Sequence, residues 1–264
     1  MTLSMQVGYS FVRPATLRNG LDRHLRSLRH GRLRVLRLLG ARFVTSHYGV
    51  RMMANWDDRT FKLCAVGRYG RVLSDFIESI EEPFEFLDIG ANQGLYTLIA
   101  GHNPACRAIT AFEPVSRTHN FLLANVALNG LVGKVTPVKA AVSDVRGAAN
   151  ITLPCDHSGA ASISQCTEGS ETEAISLMDH TDLDRLLSAI GPKIVVKIDT
   201  EGHEPAVLRA LEKSAAFSRI EAIFYEVDEA WIDAGAVRAS LQNAGFTSFE
   251  RAGSGRHYDV LARR

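Results

Sequence analysis

The stretch FEFLDIGANQGLYTLIA, residues 84–100, constrains the fold more than any other part of this chain. A short apolar run ends in a glycine-rich turn and passes directly into a segment with helical character. A strand, turn and helix in that order place a ligand at the carboxyl end of the first strand of a doubly wound sheet. Glycine suits such a turn because it accepts positive φ and lets backbone approach a ligand closely. The pattern is D-x-G-x-x-x-G, carried by Asp88, Gly90 and Gly94. It differs from the tighter G-x-G-x-x-G spacing that aims a helix N-terminus at a pyrophosphate. A ligand without phosphate is therefore expected, with Asp88 placed to meet an ammonium group on it.

The rest of the chain continues the alternation. Strands are predicted at 84–90, 108–114, 134–142, 193–199, 222–228, 247–251 and 258–263, and helices at 95–101, 116–129, 183–190, 204–213 and 236–244. This is the signature of an α/β doubly wound sheet, mostly parallel, with helices on both faces and an antiparallel last strand. Gly130, Gly191 and Gly245 are expected to terminate three of the helices. Residues 145–178 interrupt the pattern with small and polar composition, so an inserted loop or hairpin is expected there.

Before the sheet, leucines at steps of three and four predict an amphipathic helix over 18–40. A hairpin is predicted over 43–66 about the turn Asn55-Trp56-Asp57-Asp58, and a helix over 72–80. The expected organisation is an N-terminal helical and hairpin extension, residues 1–66, followed by a catalytic domain, residues 67–264.

Composition narrows the partners. The 264 residues are 46% hydrophobic and 22% charged, an ordinary globular balance, with a net charge of +1. So small a charge gives no field that selects nucleic acid, and no nucleic-acid partner is expected. The exception is local: nine arginines lie between Arg13 and Arg42 against a single acid, Asp22. They read as the solvated face of the 18–40 helix, or as a contact for a membrane surface or an acidic partner. No apolar run reaches about 18 residues, so no transmembrane helix is expected. Four widely spaced cysteines suit neither zinc nor redox chemistry, and reduced thiols point to a cytoplasmic location. The sequence sets no oligomeric state.

Two further positions extend the ligand site. Glu113 ends the strand after the glycine turn, where a carboxylate can bind both hydroxyls of a ribose. Ser143-Asp144 follows the third strand, the place for an acid that accepts from an adenine amino group. Together these suggest a nucleoside ligand.

The segments FLDIGANQGLYTL, AFEPVSRTHNFLLANVALNG, VKAAVSD, LDRLL and VVKIDTEGHEPAVLRAL occur in the order of a known family. Over roughly residues 67–228 the chain resembles FkbM-type methyltransferases. The resemblance implies a class I (Rossmann-like) methyltransferase fold, S-adenosylmethionine as methyl donor and O-methylation of a sugar or secondary metabolite. It further implies that Asp88, Gly90, Asn92, Gly94, Glu113 and Asp144, with Ser143 beside it, surround the donor. Asp199, Glu201, His203 and Glu204 would then lie at the acceptor end. The expected partner is a small-molecule or glycan hydroxyl.

Methyl transfer from a sulfonium needs in-line positioning and, for an alcohol, removal of a proton. His203 is the candidate base, since an imidazole titrates near neutral pH. Asp199 with Glu226 can instead hold Mg²⁺ and lower the pKa of the acceptor hydroxyl. Structural roles compete: Asp199 can cap the following helix, and Glu226 can pair with Lys197 or an arginine. Other functions remain in view, namely methylation of nitrogen or nucleic acid and a non-catalytic nucleoside-binding module. A nicotinamide oxidoreductase shares the fold, but the chain lacks its glycine spacing and a Tyr-x-x-x-Lys pair.

Overall fold

The structure, a computed structural model, describes residues 28–153, 157–163 and 171–264. The chain divides between residues 41 and 42 into two compact units. In the first, residues 28–38 form helix α1, so the expected 18–40 helix is present from 28 onward and its first ten residues lie outside the described ones. Gly40, at φ +67°, follows it. Among the described residues no helix is long and apolar enough to cross a membrane.

The second unit opens with a hairpin of β1 (Phe43–Thr45) and β2 (Arg51–Met53). Its turn lies at 46–50, where Ser46 N donates to Val50 O and Gly49 sits at φ +81°. The turn expected at Asn55–Asp58 instead starts helix α2 (Arg59–Val66), because the Asp58 carboxylate accepts from Phe61 N and caps the first turn. The second strand expected there is thus helical, with Phe61, Cys64 and Val66 buried. Helix α3 (Val72–Glu78) follows.

Seven strands form the main sheet. They are β3 (Phe84–Ile89), β4 (Cys106–Phe112), β5 (Val135–Val138), β9 (Lys193–Ile198), β10 (Ile220–Asp228), β11 (Ser248–Ala252) and β12 (His257–Arg263), in the order β11-β12-β10-β9-β3-β4-β5. The run from β10 to β5 is parallel throughout, and β12 is antiparallel to both its neighbours. Between the strands run α4 (Leu95–His102), α5 (Ser116–Leu128), α7 (Glu204–Lys213) and α8 (Ala234–Asn243). The central strands are buried along nearly their whole length, as helices on both faces require. The chain leaves β3 toward β4 and β5, then returns to β9 on the other side of β3. That reversal opens a crevice at the carboxyl ends of β3 and β9.

The strand expected over 134–142 is broken. β5 stops at Val138, Ala140 N turns back to Val138 O, and β6 (Ala141–Val142) joins a second sheet. That sheet has the order β6-β8-β7, with β7 (Gly147–Leu153) antiparallel to β8 (Glu171–Met178). The 145–178 insertion is therefore a hairpin. Helix α6 (His180–Leu186) begins earlier than predicted because Asp179 accepts from Thr181 N and Asp182 N. It also ends earlier, at a Leu187 cap, so Gly191 is not its terminator; Gly130 and Gly245, at φ +72° and +94°, do follow α5 and α8.

Asn125, fully buried on α5, accepts from Met53 N at 2.6 Å and donates to Gln93 O at 2.7 Å. One amide thus joins the hairpin to the glycine turn. The hairpin and α2 belong to the compact unit 42–264. Asn125→Ala leaves both backbone groups without their partner and should cost about 2 to 4 kcal/mol. Urea unfolding checks this: the midpoint should fall at unchanged slope.

Candidate functional site

The glycine turn is shaped by what lies against it. Gly90 sits at φ +76°, and a Cβ there would come within 1.9 Å of the backbone oxygen of Asp199. Only glycine lets the end of β3 approach the end of β9 this closely. Asn92 also takes a positive φ, 51°. Gly94 serves packing: a Cβ would meet Leu122 Cδ1 at 2.6 Å, and Gly94 does not line the cavity described below.

Asp88 is engaged by neighbouring groups of the protein. It is fully buried, and its Oδ2 accepts from Thr97 N at 3.1 Å and Thr97 Oγ1 at 2.6 Å, anchoring the first turn of α4. Its Oδ1 lies 3.5 Å from Lys197 Nζ. The chain's own ammonium group, that of Lys197, thus lies beside Asp88. Lys197, 3% exposed, also lies 3.5 Å from Asp199 Oδ2 and donates to Gly90 O. Burial alone would lower its pKa, but Asp199, Asp88 and Glu113 outweigh burial and raise it, so the ammonium stays charged.

Beside the turn, Glu113 follows β4 directly. Its two oxygens accept from Asn92 N at 2.9 Å and Val115 N at 3.0 Å. Burial pushes its carboxyl up to about 7, against the pull of those bonds. Glu113, Asn92 and Gly90 line one side of a narrow cavity with about 50 Å³ of room for water-sized occupants. Phe112, Ala141, Val142 and Ile151 give it an apolar wall, and Asp199, Glu201 and His203 close the far end.

The insertion covers this cavity. Ser158 N donates to Asp58 Oδ2 at 2.8 Å, Gly159 N to Thr60 Oγ1 at 3.0 Å, and Ser162 Oγ to Glu201 O at 2.8 Å. Asp58 also accepts from Gln93 Nε2 at 2.7 Å, so one buried carboxylate holds α2, the glycine turn and the cover together.

Ser143 and Asp144 lie behind the cavity wall. Asp144 pairs with Arg209 at 2.7 Å, which lowers its pKa, and it is not among the residues that line the cavity. The buried Ser143 hydroxyl instead lies 3.1 Å from His203 Nε2 and 3.4 Å from Asp144 Oδ1. Burial depresses the His203 pKa below its ordinary 6.5, leaving a neutral imidazole at pH 7.

At the acceptor end, Asp199 does not cap α7. That turn is tied by Glu204, which accepts from Thr200 N, Thr200 Oγ1 and Gly202 N. Glu226 lies outside the cavity lining and pairs with His257 at 2.6 Å, not with Lys197 or an arginine. Asp199, Glu201 and Glu226 each present an oxygen within 4.8 Å of the others. Such oxygen donors can hold a hard divalent cation. Burial, then Glu226 and Asp199, push Glu201 up to about 9; burial, then Asp199, push Glu226 up to about 8.

Residues 88–248 match the methyltransferase FkbM domain. The chain belongs to the FkbM methyltransferase family. It is an S-adenosylmethionine-dependent methyltransferase with a class I sheet, as its strand order shows. No curated protein matches the chain at a significant level. Among solved structures, it is similar to M. capricolum TrmK in complex with S-adenosylhomocysteine (TM-score 0.45, 14% identity, 72% of this chain and 65% of that one). It is similar to an O-methyltransferase family protein from Burkholderia thailandensis (0.44, 10%, 76% and 57%) and to aTrm5 in complex with tRNALeu (0.45, 11%, 83% and 51%). The chain thus spans about half the length of aTrm5.

The lining of the cavity in this FkbM methyltransferase has chemistry that could hold parts of its donor. An apolar wall suits an adenine ring, and Glu113 presents a buried carboxylate whose remaining lone pairs can accept from ribose hydroxyls. Lys197, inside the VVKIDTEG segment but given no ligand role there, and Tyr69, outside every quoted segment, complete the site. Lys197 could have been noticed as a cation inside an otherwise apolar strand.

In the protein without ligand or metal, Glu201 and Glu226 have folded pKa values above the unfolded carboxyl value near 4.3. The folded state therefore holds more protons than the unfolded one, and stability falls as pH rises through about 8 and about 9. Thermal unfolding from pH 7 to 9.5 should show Tm falling, and Glu201→Gln should flatten that fall.

Proposed function

We propose that this methyltransferase acts on a hydroxyl group of a small molecule or glycan, presented at the Asp199–His203 turn. The observation that carries the reading is the hydrogen-bond chain behind His203. Asp144, held by Arg209, only accepts, so the Ser143 hydroxyl donates to it and its oxygen accepts from His203 Nε2–H. This fixes the tautomer and leaves Nδ1 as the free basic nitrogen. A neutral imidazole on the cavity wall serves an alcohol, which must lose a proton, more than an amine.

Bound S-adenosylmethionine supplies an electrophilic methyl group on a sulfonium. In the proposed arrangement Glu113 accepts from the ribose hydroxyls, Gly90 and Asn92 bring backbone against the amino-acid portion, and the apolar wall takes the adenine. His203 Nδ1 takes the proton of the acceptor hydroxyl as the new bond forms. The covering insertion keeps water from the reacting end.

A second reading is favoured by the three carboxylates. Asp199 and Glu226, with Glu201, would hold Mg²⁺, which when bound lowers the pKa of the acceptor hydroxyl. Chelation distinguishes the two. A metal-dependent enzyme loses activity with chelator and regains it with Mg²⁺; the histidine mechanism is indifferent.

The primary test is a screen of hydroxylated acceptors, sugars first, with amines and a tRNA transcript as further arms, read by the mass gain of one methyl. Methylation of a hydroxyl supports the proposal, whereas methylation confined to nitrogen or to RNA overturns it. With the acceptor found, His203→Asn should lower turnover by about two to four orders of magnitude while donor affinity holds. The wild-type rate should fall on the acid side, below pH 6.5, as the imidazole gains a proton.

A further inference from the structure

Tyr69 lies outside the matched domain, on the bend between α2 and α3, yet its ring lines the donor cavity. Its backbone is unusually well held. Tyr69 N donates to Tyr48 Oη at 3.1 Å, and that hydroxyl donates to Gly70 O at 2.6 Å. Tyr96 Oη donates to Tyr69 O at 3.0 Å, and the two rings lie 6.1 Å apart. Gly67 and Gly70, at φ +76° and +91°, allow the bend that turns Tyr69 inward. Two tyrosines and two glycines thus fix a third tyrosine.

What Tyr69 reaches is Asp199. Its hydroxyl donates to Asp199 Oδ2 at 3.3 Å, the same oxygen that lies 3.5 Å from Lys197 Nζ. Among the described residues, the other oxygen, Oδ1, takes no hydrogen bond. We propose that Tyr69 is a positioning residue: with Lys197 it engages one oxygen of Asp199 and turns the other toward the reacting end of the donor cavity. Burial and the neighbouring Asp199 raise the phenol well above its ordinary pKa, so it remains a donor at every working pH. The inference rests on the reading that methyl transfer occurs at the Asp199–His203 turn.

Binding of two donor analogues tests it without knowledge of the acceptor. S-adenosylhomocysteine lacks the methyl group and is neutral at sulfur; sinefungin carries an ammonium group at the methyl position. An Asp199 oxygen turned to that position favours sinefungin. Calorimetric titration of the wild type, Tyr69→Phe, Asp199→Asn and the double variant reads the effect. The wild type should bind sinefungin about tenfold or more tighter than S-adenosylhomocysteine, as a charge-assisted bond allows. Tyr69→Phe should erase about tenfold of that preference with S-adenosylhomocysteine affinity held within about twofold, and should change nothing further beside Asp199→Asn. Equal loss for both ligands would reduce Tyr69 to a piece of cavity wall and overturn the proposal, as would no loss at all. A wild type without preference for sinefungin removes Asp199 from the reacting end and sinks the proposal with it. Failure to bind S-adenosylhomocysteine is a separate outcome, which contradicts the donor site itself.

Discussion

The ammonium group of Lys197 is the contact on which the site depends. It is buried between Asp88, which anchors the first turn of α4, and Asp199, which opens the acceptor end, and it binds the carbonyl of Gly90 between them. A buried ion pair is weak evidence for stability, since desolvation offsets much of its attraction. Its value here is geometric. The cation ties β9 to the glycine turn at the crevice. Removing it would strand two carboxylates in a poorly solvated interior.

Around that lock the chain arranges successive layers. Gly90 permits the close approach, Glu113 braces the turn from β4 through Asn92 N, and Asp58 draws the insertion across the top. The crowding of acids at the far end follows from the same design. Glu201 and Glu226 retain protons near neutral pH because burial disfavours their charge, with Glu226 and Asp199 adding to it at Glu201 and Asp199 at Glu226. Burial disfavours charge on His203 as well, but for an imidazole that lowers the pKa and leaves the ring neutral, as the proposed base requires.

Much of this was legible in the sequence. The alternation of apolar strands with helices gave the sheet, and β3 with its glycine turn located the crevice, because period and glycine chemistry are local properties. Misreadings arose where a side chain acts at a distance. Asp58 looked like a turn residue and proved to be a helix cap bonded to the insertion, so a strand became α2. The partners of Asp88 and Asp144, namely Thr97 with Lys197 and Arg209, were likewise not visible in the local pattern. Tyr69 offered no spacing at all; its place depends on a bend held by Tyr48 and Tyr96. Partners separated by many residues cannot be read from local pattern.

The central claim is that the cavity between β3, β4 and β9 binds the methyl donor through Glu113. Calorimetric titration of S-adenosylhomocysteine into wild-type protein and Glu113→Ala tests it most directly. The account predicts one site per chain in the wild type and an affinity weaker by about 1.5 to 3 kcal/mol in the variant, the worth of a charge-assisted hydrogen bond. Equal affinity in the two proteins, or no binding to the wild type, would contradict it.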